Sequence, residues 1–382
     1  MTTVAEGAVA LVDDERDWNP STKAGWFAMA DTPARSRPRS VTTGELEAMA
    51  PGERFVYDHA RAAWHANIGP IRTPGIDALF ETLDEVVGAN RQDGEKVKPA
   101  VVLDALPGLG KTTAALSFGQ AFHRTQIELY GAQVPATGGY WQRIPVVYLG
   151  LTSNTTMRSL NAMLCRFYGL PGADRGNADW LANRAAECVA NCKTRLVIVD
   201  DVHFLDVNRR DGREVANHFK WLANTFPVTF FFVGVGLRAR GLLDEGLCGA
   251  DAAFSQTARR WSVASLDPFE IGTKPGRATW RQLLLSIERE LVLANAYRGM
   301  AARDLSDYLF ARCSGNFASL MSLLARGCYR AVKTGTETLS VEQLDAVRID
   351  QAAETAREHL HASLAAGLLP AGTDRTRREG AA

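Results

Sequence analysis

Apolar residues follow two different rhythms along this chain. Five short runs, at residues 100–106, 144–151, 196–200, 229–235 and 261–266, are almost continuously apolar. Runs of that length predict strands buried on both faces of a parallel sheet. Helical periodicity lies between them, at 112–123, 178–192 and 214–224. Strands alternating with helices predict an α/β fold with right-handed crossovers. Ahead of the first strand, Thr43-Gly44-Glu45-Leu46 starts a helix-like stretch in which Phe55, His59, Ala62, Ala63 and Ala66 recur at three and four. A second helix follows Thr73 as cap and Pro74 in the first turn, with Ile76, Leu79, Phe80, Leu83, Val86 and Val87 on one side. After Pro268 the strands stop. Trp280, Leu284, Ile287 and Leu291, then Leu305, Tyr308 and Leu309, then Leu320, Leu323 and Leu324 predict three amphipathic helices. These patterns divide the chain into a flexible arm (1–45), an N-terminal helical segment (46–98), an α/β core (99–272), a helical subdomain (273–350) and a polar tail (351–382).

Composition narrows the class. Hydrophobic residues make up 46% of the 382 residues and charged residues 23%, the balance of a folded globular chain. Lys plus Arg equals Asp plus Glu at 43 each, so attraction to nucleic acid or an anionic membrane must be local. Six scattered cysteines, with no apolar signal-peptide core near Met1, argue against a disulfide framework and for a cytoplasmic protein. Cys188 and Cys192 have no answering Cys or His pair at zinc spacing and read as buried small side chains. The apolar runs are strand-length, too short to span a membrane, and no internal repeat is visible.

The most specific motif is Ala105-Leu106-Pro107-Gly108-Leu109-Gly110-Lys111-Thr112, between the first buried run and a helix. It is a nucleotide P-loop with Ala105 in place of the usual first glycine. Gly108 and Gly110 keep the permissive positions at which backbone N–H groups turn toward phosphate. Pro107, Gly108, Leu109, Gly110, Lys111, Thr112 and Thr113 are therefore the expected ATP contacts, with Lys111 on the β and γ phosphates and Thr112 on Mg²⁺. The third run ends in Asp200-Asp201-Val202-His203. Carboxylates at that edge of a parallel sheet sit where α/β sheets bind ligands. Asp200 is the expected Mg²⁺ ligand and Asp201 the group that orients or deprotonates the attacking water. Asp201 is one methylene shorter than the Glu of many ATPases, which leaves slow hydrolysis open beside ordinary turnover. His203 reads as a hydrogen-bonding spacer. The fourth run enters Gly234-Val235-Gly236, which has no polar side chain to sense a γ-phosphate.

Taken together, two leading helices ending in Pro70-Ile71-Arg72-Thr73-Pro74, the P-loop, the Asp-Asp-Val-His strand, Phe232-Val233-Gly234, Arg260-Trp261 and Gly315-Asn316-Phe317-Ala318-Ser319-Leu320 resemble the TniB and TnsC type of transposition ATPase. These are AAA+ relatives of the IstB and DnaC loaders and of origin-recognition ATPases. The resemblance covers about residues 54–350. It implies an AAA+ P-loop fold with a five-stranded parallel sheet, N-terminal helices and a helical lid. It also implies an ATP- and Mg²⁺-dependent regulator that self-assembles on double-stranded DNA without sequence preference and recruits or activates a DDE-type transposase. On this resemblance Arg260 is an arginine finger acting on a neighbour's nucleotide, with Arg259 as fallback. The helix opened by Gly315 lacks the second sensor arginine of AAA+ lids.

In initiator-like ATPases the segment after the second strand faces the central channel, and here Thr152, Asn154, Thr155 and Arg158 are the candidates for DNA, suited to phosphate-backbone contacts. The same segment also reads as a Ser/Thr-capped turn into a helix. Arg209, Arg210 and Arg213 form another basic cluster, which Asp211 marks as a solvated face. A signalling switch of the STAND class shares the P-loop and the Asp-Asp strand but carries a long repeat sensor, and a helicase loader shares the whole core.

Overall fold

A computed structural model describes residues 18–90, 98–153, 155–204, 221, 228–237 and 261–365. The described residues form two compact units: one from 18–33 and 74–267, the other from 34–73 and 268–365.

The first unit is built on a five-stranded parallel sheet. Its strands are β1 (Ala100–Ala105), β4 (Val146–Gly150), β5 (Leu196–Asp200), β6 (Thr229–Gly234) and β7 (Trp261–Leu266). Their order is β4-β5-β6-β1-β7. All four pairings are parallel, with Val101 opposite Phe231 and Ser262, and Gly150 opposite Asp200. The inner strands β5 and β6 are buried along their whole length, as continuous apolar runs flanked by strands on both sides require. The five runs predict this sheet, but not the burial of its edge strand: β7 pairs only with β1 and is half-buried, with Val263 36% exposed.

Helices α4 (Pro74–Ala89), α5 (Lys111–Tyr130), α6 (Met157–Phe167) and α7 (Ala178–Asn191) complete the unit. α4 lies against β1 and β7, α5 against β4, β5 and β6, and α6 against β4 and α7. An antiparallel hairpin, β2 (Gln133–Ala136) with β3 (Gly139–Gln142), separates α5 from β4 and was not expected from the pattern. The helix expected at 214–224 lies outside the described residues apart from Trp221.

The expected arm is corrected in part. Lys23–Asp31 form helix α1, capped by Thr22, whose hydroxyl accepts from the Gly25 amide. Trp26 is 0% exposed and packs on α5 at Gly119, where a Cβ would come within 2.8 Å of the indole. Its Nε1 donates to His123 Nδ1 at 3.1 Å, and Arg124 donates from α5 to the Ala30 carbonyl. One aromatic anchor and a glycine notch hold a segment whose polar composition suggested no structure.

The second unit contains α2 (Thr43–Ala48) and α3 (Pro51–Ala66), followed by α8 (Lys274–Glu288), a π-helical turn (Met300–Asp304), α9 (Ser306–Cys313), α10 (Phe317–Thr334), α11 (Val341–Asp345) and α12 (Gln351–Ala365). Its core holds Trp280, Leu284, Ile287, Leu309, Leu320, Leu323 and Leu324, the apolar positions that predicted three helices. The face assigned to α3 is wrong. Phe55 is 73% exposed, while Tyr57, Ala60, Arg61 and His65 turn inward. The reversal comes from Arg61, which is fully buried yet donates to Glu337 at 2.6 and 2.7 Å and to Asp58. A buried guanidinium of this kind is tolerated because its charge is paired and its donors are used. The expected polar tail is corrected as well: α12 is a helix held by Asp350, which accepts from the Ser319 hydroxyl and the Ala353 amide, and by Glu354, which accepts from Arg312.

Candidate functional site

The sheet brings the P-loop and the acidic strand end to one edge. β1 and β5 are parallel and separated only by β6, so the loop after Ala105 and the carboxylates after Val199 leave the sheet at the same end. Ala105 is the last residue of β1, paired with Leu266. An extended strand position accepts a Cβ, which explains why alanine can stand where the motif has glycine. Gly108 and Gly110 have φ of 76° and 83°, the left-handed region that favours glycine. Gly110 is the N-cap of the 20-residue helix α5 and has no side chain with which to cap it. The first amides of α5 and its dipole are therefore left to an anion.

Lys111 is buried, and its Nζ donates to the Leu106 carbonyl at 2.8 Å across the loop. Burial pulls the ammonium below its ordinary pKa, and the carboxylates of Asp200, Asp201 and Asp104 oppose that pull. Thr112 Oγ1 donates to Asp200 Oδ2 at 2.7 Å. The same oxygen accepts from Tyr148 Oη at 2.8 Å, and Oδ1 accepts the Asp201 amide at 2.8 Å. Asp200 is thus a buried carboxylate held by three donors. The Tyr148 hydroxyl is pushed far above its usual pKa by burial and by Asp200, so it stays a donor.

Asp201 lies at φ 59°, a conformation that aspartate adopts more readily than most residues. Its carboxyl is half exposed, with His203 Nδ1 3.9 Å away. Partial burial and the adjacent Asp200 raise its pKa, which strengthens it as a proton acceptor. Gly234, the last residue of β6, and Val235 and Gly236 after it present no polar side chain, as the sequence implies. The donor set at this edge, a threonine hydroxyl and a fixed carboxylate, is all oxygen and suits Mg²⁺, which binds through one or two protein ligands plus phosphate and water.

Not every predicted residue joins the site. Arg259, Arg260 and Asn154 lie outside the described residues, as do Arg209, Arg210 and Arg213. Thr155 is buried and its hydroxyl closes a turn onto the backbone of Thr152. Thr156 and Ser159 form the capping box of α6, so this stretch is the capped turn that sequence offered as the second reading. Arg158 donates to the carbonyls of Gly176 and Asp174. Thr152 is exposed. Sequence reasoning missed Tyr148, which reaches the site through the β4–β5 register, and Asp104, which stands on β1 directly before the P-loop and acts on Lys111.

Residues 95–243 match the AAA domain family. In fold the chain is similar to the ORC1 protein of Aeropyrum pernix in complex with DNA, with a TM-score of 0.54 at 14% identity, covering 80% of this chain and 72% of that one. It is also similar to Drosophila ORC bound to DNA, with a TM-score of 0.50 at 9% identity, covering 91% and 76%. This is the AAA+ P-loop fold. No curated protein matches the sequence. The AAA+ sheet, its N-terminal helices and its C-terminal helices are those the sequence resemblance implied. Among the described residues no helix is long and apolar enough to cross a membrane.

Proposed function

We propose that the chain is an ATP-dependent AAA+ regulator of transposition. On this reading it binds and hydrolyses ATP with Mg²⁺, assembles with copies of itself on duplex DNA without reading sequence, and recruits or activates a DDE-type transposase. The observation that carries the nucleotide part is the 2.7 Å contact of Thr112 with Asp200 beside a P-loop whose helix N-terminus is uncapped. The amides of residues 108–113 cradle the β-phosphate, and Lys111 leaves the Leu106 carbonyl for the phosphate oxygens. Thr112 and Asp200 would hold Mg²⁺, which offsets charge on the β and γ phosphates. Asp201 takes a proton from, or orients, the attacking water. Arg260 is the proposed trans finger, a role worth about 10³ to 10⁵ in turnover in other nucleotide hydrolases.

Support for the DNA part is twofold: the residues that resemble TniB and TnsC, and the DNA named with the two structures of like fold. That likeness to origin-recognition proteins also favours a second reading, a loader or initiator-like ATPase with the same nucleotide chemistry and a different protein client. The nucleotide assignment is tested by equilibrium binding of a fluorescent ATP analogue with Mg²⁺. Lys111→Ala is expected to abolish binding while leaving the circular dichroism unchanged. Equal affinity in variant and parent would overturn it.

A further inference from the structure

The helical unit carries a groove walled by arginines. Arg281, Leu285 and Arg289 are spaced by four on α8 and its C-cap, so they form one stripe about 12 Å long. Arg298 precedes the π-helical turn and faces the same space. A groove of about 500 Å³ is lined by Arg37, Leu285, Glu288, Arg289, Tyr297 and Arg298 among others. It adjoins a hollow of about 330 Å³ lined by Arg281, Leu285, Arg298 and Arg303. The two share Leu285 and Arg298.

The acidic groups nearby are already committed. Glu288 accepts the amides of Gly299, Ala301 and Ala302. Asp304 takes Arg303 and the Tyr297 hydroxyl, Asp307 takes Arg277 at 2.8 Å, and Glu290 lies 3.9 Å from Arg37. Arg281, Arg289 and Arg298 are exposed and have no hydrogen bond or ion pair from their side chains among the described residues. In a chain of zero net charge, the arginines lining this groove and hollow outnumber the one carboxylate that lines them, Glu288, and leave a local positive field.

We propose that this arginine groove holds the phosphate backbone of duplex DNA, a step that rests on the DNA reading above and names the surface that performs it. Guanidinium forks match phosphate oxygens in pairs, and a row about 12 Å long can reach more than one phosphate of a duplex. The contacts carry no base information, so binding is sequence-independent. The alternative surface at 152–158 is less free, because Arg158 is spent on two backbone carbonyls.

The test is fluorescence anisotropy of a labelled duplex of arbitrary sequence, with ATP and Mg²⁺, over a series of salt concentrations. Replacing Arg281, Arg289 and Arg298 together by alanine is expected to weaken binding at least about tenfold and to make the log–log salt dependence shallower by about 3. The triple lysine variant is expected to keep the parent's slope. ATP binding by both variants, measured alongside, reports that the fold is intact. If the parent binds duplex and the alanine variant keeps its affinity and slope, the groove assignment is wrong while the DNA reading stands. If the parent fails to bind any duplex at low salt, both fall. Loss of polyglutamate binding with duplex binding unchanged would assign the groove to an acidic protein and overturn the proposal.

Discussion

One of the three donors that hold Asp200 is a tyrosine that no motif contains. In the β4–β5 ladder Gly150 stands opposite Asp200 and Tyr148 opposite Ile198. Side chains two apart on a strand share a face, so Tyr148 and Asp200 lie on the same side of the sheet and their polar atoms meet at 2.8 Å. Lys111, Thr112 and Asp200 were legible because glycine spacing and an acidic strand end are local. Tyr148 was not, because its role depends on which strand pairs with β5 and in what register. Tyr148→Phe removes one of three donors and leaves the proposed ATP contacts untouched. Partners that orient a metal ligand typically change metal affinity about 10- to 100-fold. The expected result is a rise of about tenfold in the Mg²⁺ concentration needed for half-maximal ATP binding, with Mg²⁺-free binding unchanged. An unaltered Mg²⁺ titration would show that Thr112 and the Asp201 amide suffice to hold the carboxylate.

Among the elements, those with continuous apolar runs were legible and those held by one or two polar contacts were not. β5 and β6 could be placed because their burial is uniform, and β1 because only Asp104 interrupts its burial. α1 escaped notice because its attachment is Trp26 against Gly119 and His123, nearly a hundred residues away. α3 was read on the wrong face because Arg61 is an inward residue there. Two histidines in these attachments are neutral acceptors: His123 Nδ1 for Trp26, and His65 Nε2 for the Val292 amide at 2.9 Å. Burial lowers both to about 4 from 6.5, with Arg61 adding to the effect at His65. Between pH 6.5 and 4 the unfolded chain therefore binds more protons than the folded one. The stabilisation is complete above about pH 6.5 and is lost as pH falls toward 4, at up to about 1.4 kcal/mol per unit for each histidine. Thermal unfolding is expected to shift downward from pH 7 to pH 5. His123→Gln, which can still accept from Trp26 without titrating, is expected to flatten that dependence. A parent melting temperature that does not change over this range would contradict the neutral-acceptor roles.

For the whole molecule, the change of pattern at Pro268 correctly marked where strands give way to helices, since buried runs and amphipathic stripes differ in period. The grouping of 34–73 with the C-terminal helices was not legible, because it rests on ion pairs such as Arg61 with Glu337 between segments distant in sequence. Zero net charge excluded a uniformly basic DNA-binding surface and made a local one the physical requirement. On the proposed function, nucleotide state controls assembly on DNA. Its most direct measurement is mass photometry of the full chain with an arbitrary duplex, comparing ATP, a non-hydrolysable analogue and ADP. DNA-bound assemblies of several protomers are expected with ATP and the analogue, few with ADP, and none with Lys111→Ala. A monomeric, DNA-free protein in every nucleotide state at low salt would contradict it.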